Sequence, residues 1–263
     1  MEENRVERMP VLFVGHGSPM NAIEDNRWSK GFMSLAGLFG RPRAVLAISA
    51  HWWVPGAYVT ADERPRTIHD FGGFPDELYR VKYPAPGSPA LAVRAASLAG
   101  RTEAVADEWG LDHGTWSVLR RMYPAADIPV VQLSIDRRAP PAAHAELGRR
   151  LSPLRDEGVL IFASGNIVHN LPYVFSRYGE GEDATPAWAA RFDADTARSL
   201  ERMDLGALTD ALATPDGRMS HPTPDHYLPL LYAAGAAGQG ERAVFPIEGF
   251  DMGSLSMRAV LIG

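Results

Sequence analysis

The chain contains eight histidines and no cysteine in 263 residues, and five of those histidines stand where an imidazole can do chemistry. His16 sits in Gly15-His16-Gly17-Ser18-Pro19, where the flanking glycines let the backbone turn sharply and leave the ring exposed. His51 ends an apolar run in Ser49-Ala50-His51-Trp52-Trp53, and His169 follows another in Ser164-Gly165-Asn166-Ile167-Val168-His169-Asn170. His113, in Asp112-His113-Gly114-Thr115-Trp116, and His226, in Pro224-Asp225-His226-Tyr227, stand at the starts of segments with helical spacing. Neutral imidazole suits Fe(II), Zn(II), Ni(II) or Cu(II), so a histidine-rich set without thiols predicts a transition metal on nitrogen and oxygen ligands. A catalytic mononuclear site uses about three protein ligands and leaves a position open. Five histidines exceed that need, and the surplus is expected to act as acid, as base, or as support for the ligands.

A single histidine beside a strand is usually a hydrogen-bonded core or surface residue; it is recurrence, three at strand ends and two at helix starts, that sets these five apart. The other three read differently. His144 lies beside Ala145 and Glu146 in an amphipathic segment and is expected on the solvated surface. His221, next to Pro222, reads as loop structure. His69, in Thr67-Ile68-His69-Asp70-Phe71-Gly72-Gly73-Phe74-Pro75, is a candidate for the rim of a pocket. The Gly15–Pro19 block is not the Gly-x-Ser-x-Gly elbow of serine hydrolases, and neither a phosphate loop nor Gly-x-Gly-x-x-Gly occurs. Aromatic residues flank the histidines and offer walls for a planar substrate.

These residues need a scaffold that brings strand ends together. Short apolar, β-branched runs at Pro10–Val14, Ala44–Ser49, Ile128–Ile135, Gly158–Ala163, Ala243–Pro246 and Leu255–Ile262 predict strands. Between them, Trp28–Phe39, Pro89–Leu98, Thr115–Met122, Ala142–Arg155, Ala187–Met203 and Pro224–Ala233 have helical spacing. Alternation of the two predicts an α/β fold, a single catalytic domain over residues 1–263 with a mostly parallel central sheet flanked by helices. In such sheets ligands bind at the carboxyl ends of strands, so the metal site is placed there. Pro84–Pro89 and Tyr178–Pro186 read as surface loops.

Composition narrows the class further. A hydrophobic content of 46% with 22% charged residues supports a large core. A formal charge of -6 without Lys/Arg clusters argues against nucleic acid as a partner. The absence of cysteine excludes disulfides, thiolate zinc sites, iron–sulfur clusters and a cysteine nucleophile. The N-terminal residues lack a signal-peptide layout and no apolar run reaches the ~18 residues of a membrane span, so a cytoplasmic protein without a membrane partner is expected. A small homo-oligomer is compatible with all of this.

Several blocks in order carry a family resemblance: Gly15-His16-Gly17-Ser18-Pro19-Met20-Asn21, Ser49-Ala50-His51-Trp52, Thr67–Pro75, Tyr83-Pro84-Ala85-Pro86-Gly87, Asp112–Trp116, Gly165–Leu171 and Pro224–Leu230. Together they resemble the class III extradiol ring-cleavage dioxygenases, in the 4,5-DOPA dioxygenase branch, along nearly the whole chain. The resemblance implies a non-haem Fe(II) enzyme that opens a catechol ring beside its hydroxyls with O2. It implies that His16, His51 and His226 are metal ligands, that His169 lies close to the metal as ligand or acid/base, and that His113 contacts substrate. Better-known relatives complete the ligand set with a glutamate, whereas this branch offers His226, and some bacterial relatives resemble zinc-loaded proteins. Two other readings of the same histidines are a Zn(II)-dependent hydrolase and a non-catalytic metal-binding protein.

Overall fold

The computed structural model describes residues 7–100, 102–176 and 184–263. In chain order its elements are β1 (Val11–Gly15), α1 (Arg27–Leu35), β2 (Ala44–Val54), β3 (Ala57–Thr60), α2 (Asp76–Tyr79), α3 (Pro89–Ala99), β4 (Thr102–Val105), α4 (His113–Met122), β5 (Val130–Asp136), α5 (Pro141–Leu151), α6 (Pro153–Asp156) and β6 (Val159–Gly165). The chain continues through α7 (Leu171–Ser176), α8 (Ala187–Glu201), α9 (Leu205–Asp210), α10 (Pro215–Ser220), α11 (Leu228–Gly235), β7 (Ala243–Ile247), β8 (Phe250–Asp251), β9 (Leu255–Ser256) and β10 (Ala259–Ile262).

Eight strands form one sheet in the order β4-β3-β5-β2-β6-β1-β10-β7. Its centre, β5-β2-β6-β1, is parallel throughout, while β10 and β7 extend it antiparallel at one side and β3 pairs antiparallel with β5 at the other. This is the predicted single α/β domain. The central strands are continuous apolar runs because both faces are covered. Phe13, Leu46, Ile48, Val131, Leu133, Ile161 and Ala163 point to the face packed by α3, α5 and α11. Their alternates Leu12, Val14, Val45, Ala47, Leu160 and Phe162 point to the face packed by α1 and α4. Side chains alternate along a strand, so one apolar run feeds two cores.

Several expectations are corrected. The run Leu255–Ile262 is not one strand: β9 pairs with β8 in a separate ribbon, and only β10 joins the main sheet. The segment Ala142–Arg155 divides at Ser152 into α5 and α6, where Pro153 cannot continue the backbone hydrogen bonding. The helix expected from Pro224 starts at Leu228, after a turn. β3 and β4, four residues each, were too short and too polar to register as strands. Of the loop expected at Tyr178–Pro186, residues 178–183 lie outside the described residues.

His144 is also corrected. It is buried, with its Nδ1 3.1 Å from the Tyr232 hydroxyl. Small residues let α5 and α11 approach until Gly148 meets the Tyr232 carbonyl and Gly235 meets the Ala145 carbonyl; a Cβ at either would lie within 2.2 Å of that oxygen. That closeness turns a position with surface-like sequence inward.

Candidate metal centre

Adjacent parallel strands bring the histidines together by register. Gly15 of β1 is level with Gly165 of β6, and Ser49 of β2 is level with Ser164 of β6. His16 and His51 therefore lie one and two residues past neighbouring points on the same strand ends. His51 falls inside the longer β2 rather than at its end, because β2 continues to Val54. His113 is the first residue of α4, whose N-terminus is capped by the Asp112 side chain accepting from Thr115 N–H. His169 follows β6, held by its N–H to the Ser220 carbonyl at 3.0 Å. His226 precedes α11 by two residues and docks on the end of β6, where Asn166 N–H donates to the His226 carbonyl at 2.9 Å. Gly165 permits that approach, since a Cβ there would lie 2.1 Å from the His226 carbonyl oxygen.

All five histidines line one cavity of about 740 Å³, with Asp70, Phe71, Phe74, Leu171, Val174, Phe175, Met252 and Leu255 among its walls. His69 and His221 do not line it. His69 Nε2 donates to the Val81 carbonyl at 3.0 Å from behind the wall, and His221 Nε2 donates to the Ile167 carbonyl at 2.7 Å.

The hydrogen bonds determine which ring nitrogen carries a proton. Ser164 donates its hydroxyl hydrogen to the Gly114 carbonyl and so accepts from His16 Nδ1–H, at 2.9 Å. His226 Nδ1–H donates to the Asp225 carboxylate. His51 Nδ1 lies 3.3 Å from Asp70 Oδ2. In neutral rings this leaves Nε2 bare on His16 and His226, and the Nε2 atoms of His16 and His51 face each other at 3.1 Å. With the His51 hydrogen on Nδ1, beside the Asp70 carboxylate, two lone pairs at that distance repel unless a cation lies between them. Burial, and then the neighbouring imidazoles, push His16 and His51 well below the ordinary histidine range, so neither supplies that cation by protonating. A transition-metal ion fits this donor set.

His16, His51 and His113 have ring nitrogens all within 4.8 Å of one another. The ring centres of His16, His51 and His226 form a near-equilateral triangle with sides of 5.1, 5.3 and 5.1 Å. His113 is closer to His51, at 3.9 Å, and His169 stacks flat on His226 at 3.5 Å.

Residues 11–251 match the family model described as the catalytic LigB subunit of aromatic ring-opening dioxygenase. The chain belongs to this family. Among LigB-like relatives, the chain is 49% identical over 261 residues to the Escherichia coli K12 protein named 4,5-DOPA dioxygenase extradiol, covering 97% of this chain and 95% of that one. A protein of the same name from Beta vulgaris is 39% identical, covering 94% and 93%. A crystal structure of an uncharacterized Escherichia coli K12 protein superposes with a TM-score of 0.84 at 45% identity, covering 97% of this chain and all of that one. Membership carries the fold and a metal-dependent aromatic ring-opening activity to this LigB-family chain. No helix among the described residues is long and apolar enough to cross a membrane.

Sequence reasoning missed three residues that support the site. Asp225 orients His226, Ser164 orients His16, and Asp70 reaches both His51 and His113. Asp225 was visible as a carboxylate adjacent to a histidine. Ser164 and Asp70 meet their partners only in space.

Proposed function

We propose that the chain is a mononuclear extradiol dioxygenase that opens a catechol-type ring, with 4,5-DOPA and related dihydroxyphenyl acids as first substrates. The observation that carries the proposal is the pair of facing Nε2 atoms of His16 and His51 in an aromatic-walled cavity. We assign His16, His51 and His226 as the metal ligands. A ring that binds through Nε2 at ~2.1 Å has its centre a little over ~3 Å from the metal, so two such rings at a tetrahedral angle stand about 5 Å apart. The His16–His51–His226 triangle has that spacing. His113 is too close to His51, and His169 too close to His226, to join the same set in that way.

His169 and His113 are then the catalytic residues. His169 stands beside the ligand triangle, where it can take the second phenolic proton of the catechol and return it to the opened product. Burial, and then the neighbouring His226, hold it well below the ordinary range, so it starts unprotonated, as a base must. When no substrate is present it is near enough to act as a fourth ligand, particularly for Zn(II). His113 contacts substrate from the opposite wall, beside Phe71. Fe(II), the metal expected for activity, would act as Lewis acid toward the catechol oxygens and carry electrons between the ring and O2. Zn(II) suits the same nitrogens but has no accessible redox change. We further propose that the whole of residues 1–263 is one catalytic unit, that it works in the cytoplasm without nucleic-acid or membrane partners, and that it forms a small homo-oligomer.

The test is anaerobic loading with Fe(II) or Zn(II), followed by a catechol panel with oxygen uptake and visible absorbance as readouts. Iron protein is expected to consume oxygen and give a yellow ring-opened product, and zinc protein to do neither. Verified iron protein that turns over none of the panel would overturn the assignment in favour of a zinc hydrolase or a non-catalytic metal binder.

A further inference from the structure

Asp70 lies on the loop between β3 and α2, immediately before Phe71, Gly72, Gly73 and Phe74, which form one wall of the cavity. One of its oxygens, Oδ1, accepts from the His113 backbone N–H at 2.9 Å. The other, Oδ2, is 3.0 Å from His113 Nδ1 and 3.3 Å from His51 Nδ1. One carboxylate thus faces a ring assigned above to the metal and a ring assigned to substrate.

We propose that Asp70 is a shared positioning residue that fixes the proton arrangement of both rings, holding His51 as a ligand and His113 as a hydrogen-bond acceptor toward substrate. An ionised carboxylate can only accept. His113 Nδ1 therefore carries its hydrogen, and a hydrogen on His51 Nδ1 makes the approach of the same oxygen favourable; in neutral rings both Nε2 atoms are then left with lone pairs. On His51 that lone pair faces His16 Nε2. On His113 it is left to receive a hydrogen bond from a substrate hydroxyl, which makes this nitrogen a hydrogen-bond acceptor and not a donor. The geometry also ties the aromatic wall to the metal side: the same loop is held from behind by His69 Nε2–H on the Val81 carbonyl, so Phe71 is anchored on both flanks. Support of ligating imidazoles by a carboxylate is a general device; its sharing between a ligand and a substrate-facing ring is what this loop adds.

The inference rests on the assignment of His51 as ligand, and Asp70→Asn tests it apart from that assignment. Whichever way the asparagine turns, its NH2 meets a donor, either the His113 backbone N–H or the two Nδ1–H groups. Zn(II) affinity by chelator competition is expected to fall roughly 10–100-fold in Asp70→Asn and Asp70→Ala, and two-bond nitrogen–proton NMR of zinc-loaded Asp70→Asn is expected to show His113 leaving the Nδ1–H form that the wild-type protein holds. His51→Ala is the control: retention of metal there would remove the ligand assignment itself. Loss of metal in His51→Ala, with wild-type affinity and an Nδ1–H His113 in Asp70→Asn, would overturn the role of Asp70 while leaving the metal site standing. Should the variants not fold, the wild-type spectrum decides alone, because an Nε2–H His113 in zinc protein contradicts the proposal.

Discussion

The five cavity histidines and the pair His144 and His221 are all removed from bulk water, yet they are built for opposite ends. His144, on the face of α5 toward α11, sets one nitrogen against the Tyr232 hydroxyl; His221, at the end of α10 and outside the cavity lining, sets one nitrogen on the Ile167 carbonyl. Burial brings both down to about 4. Burial also lowers His16 and His51, so a depressed pKa does not distinguish the two regions. What does is company: in the cavity five rings converge, and His16 and His51 turn their Nε2 atoms toward each other at 3.1 Å. Isolated buried imidazoles are packing; convergent ones are a binding site.

The comparison breaks first at the ligands. His16→Ala or His51→Ala is expected to remove most of the bound metal, measured by elemental analysis after mild loading, while His144→Ala leaves occupancy unchanged. Full occupancy in both ligand variants would erase the distinction between the regions. Within the cavity, His169→Gln is expected to retain iron yet lose about 10²–10⁴-fold in turnover, the usual worth of a general acid/base. His226→Ala is expected to weaken metal binding more than His169→Gln does, and equal losses with and without a catechol would show that the two roles are wrongly divided.

A smaller effect sharpens the architectural side. Gly165→Ala places a methyl against the His226 carbonyl, and overpacking of this kind costs roughly 1–3 kcal/mol. Chemical denaturation is expected to show that loss together with weaker metal binding, because the segment carrying His226 must shift. A stability loss with metal affinity intact would mean that this carbonyl contact does not position the ring.

The smallest effect belongs to the structural pair. His144 is neutral in the folded chain down to about 4, whereas the unfolded chain protonates it near the ordinary 6.5. The unfolded state then binds more protons, so stability is complete above 6.5 and declines as pH falls toward 4, with a slope of up to about 1.4 kcal/mol per pH unit from this group. His144→Gln cannot protonate and is expected to flatten part of that slope in denaturation series of metal-free protein. An unchanged slope would assign the acid sensitivity elsewhere.

The strands and the five cavity histidines were legible because each carries a local mark, an apolar β-branched run, a histidine at or past its end, or a histidine where helical spacing begins. The α/β class followed from their alternation. What stayed hidden depends on distance in space. His144 has the neighbours of a surface residue, and only the approach of two helices through Gly148 and Gly235 turns it inward. Asp70 is 19 residues from His51 and 43 from His113, and nothing in either interval marks their meeting. The near-equal ring spacing of His16, His51 and His226 is likewise something residue types cannot express.

The sheet order has a consequence for how the protein matures. β1, the first strand of the sheet in chain order, lies between β6 and β10, so during synthesis the strand that leads into His16 has no neighbour until residues 159–165 have emerged, and lacks its second until β10 has been made. Closing such a distant pairing is slow and late. His16 and His226 therefore come together only once both β6 and the segment before α11 have been made. The cavity that the five histidines line is closed by segments made after β6, among them those carrying His169, His226, Met252 and Leu255.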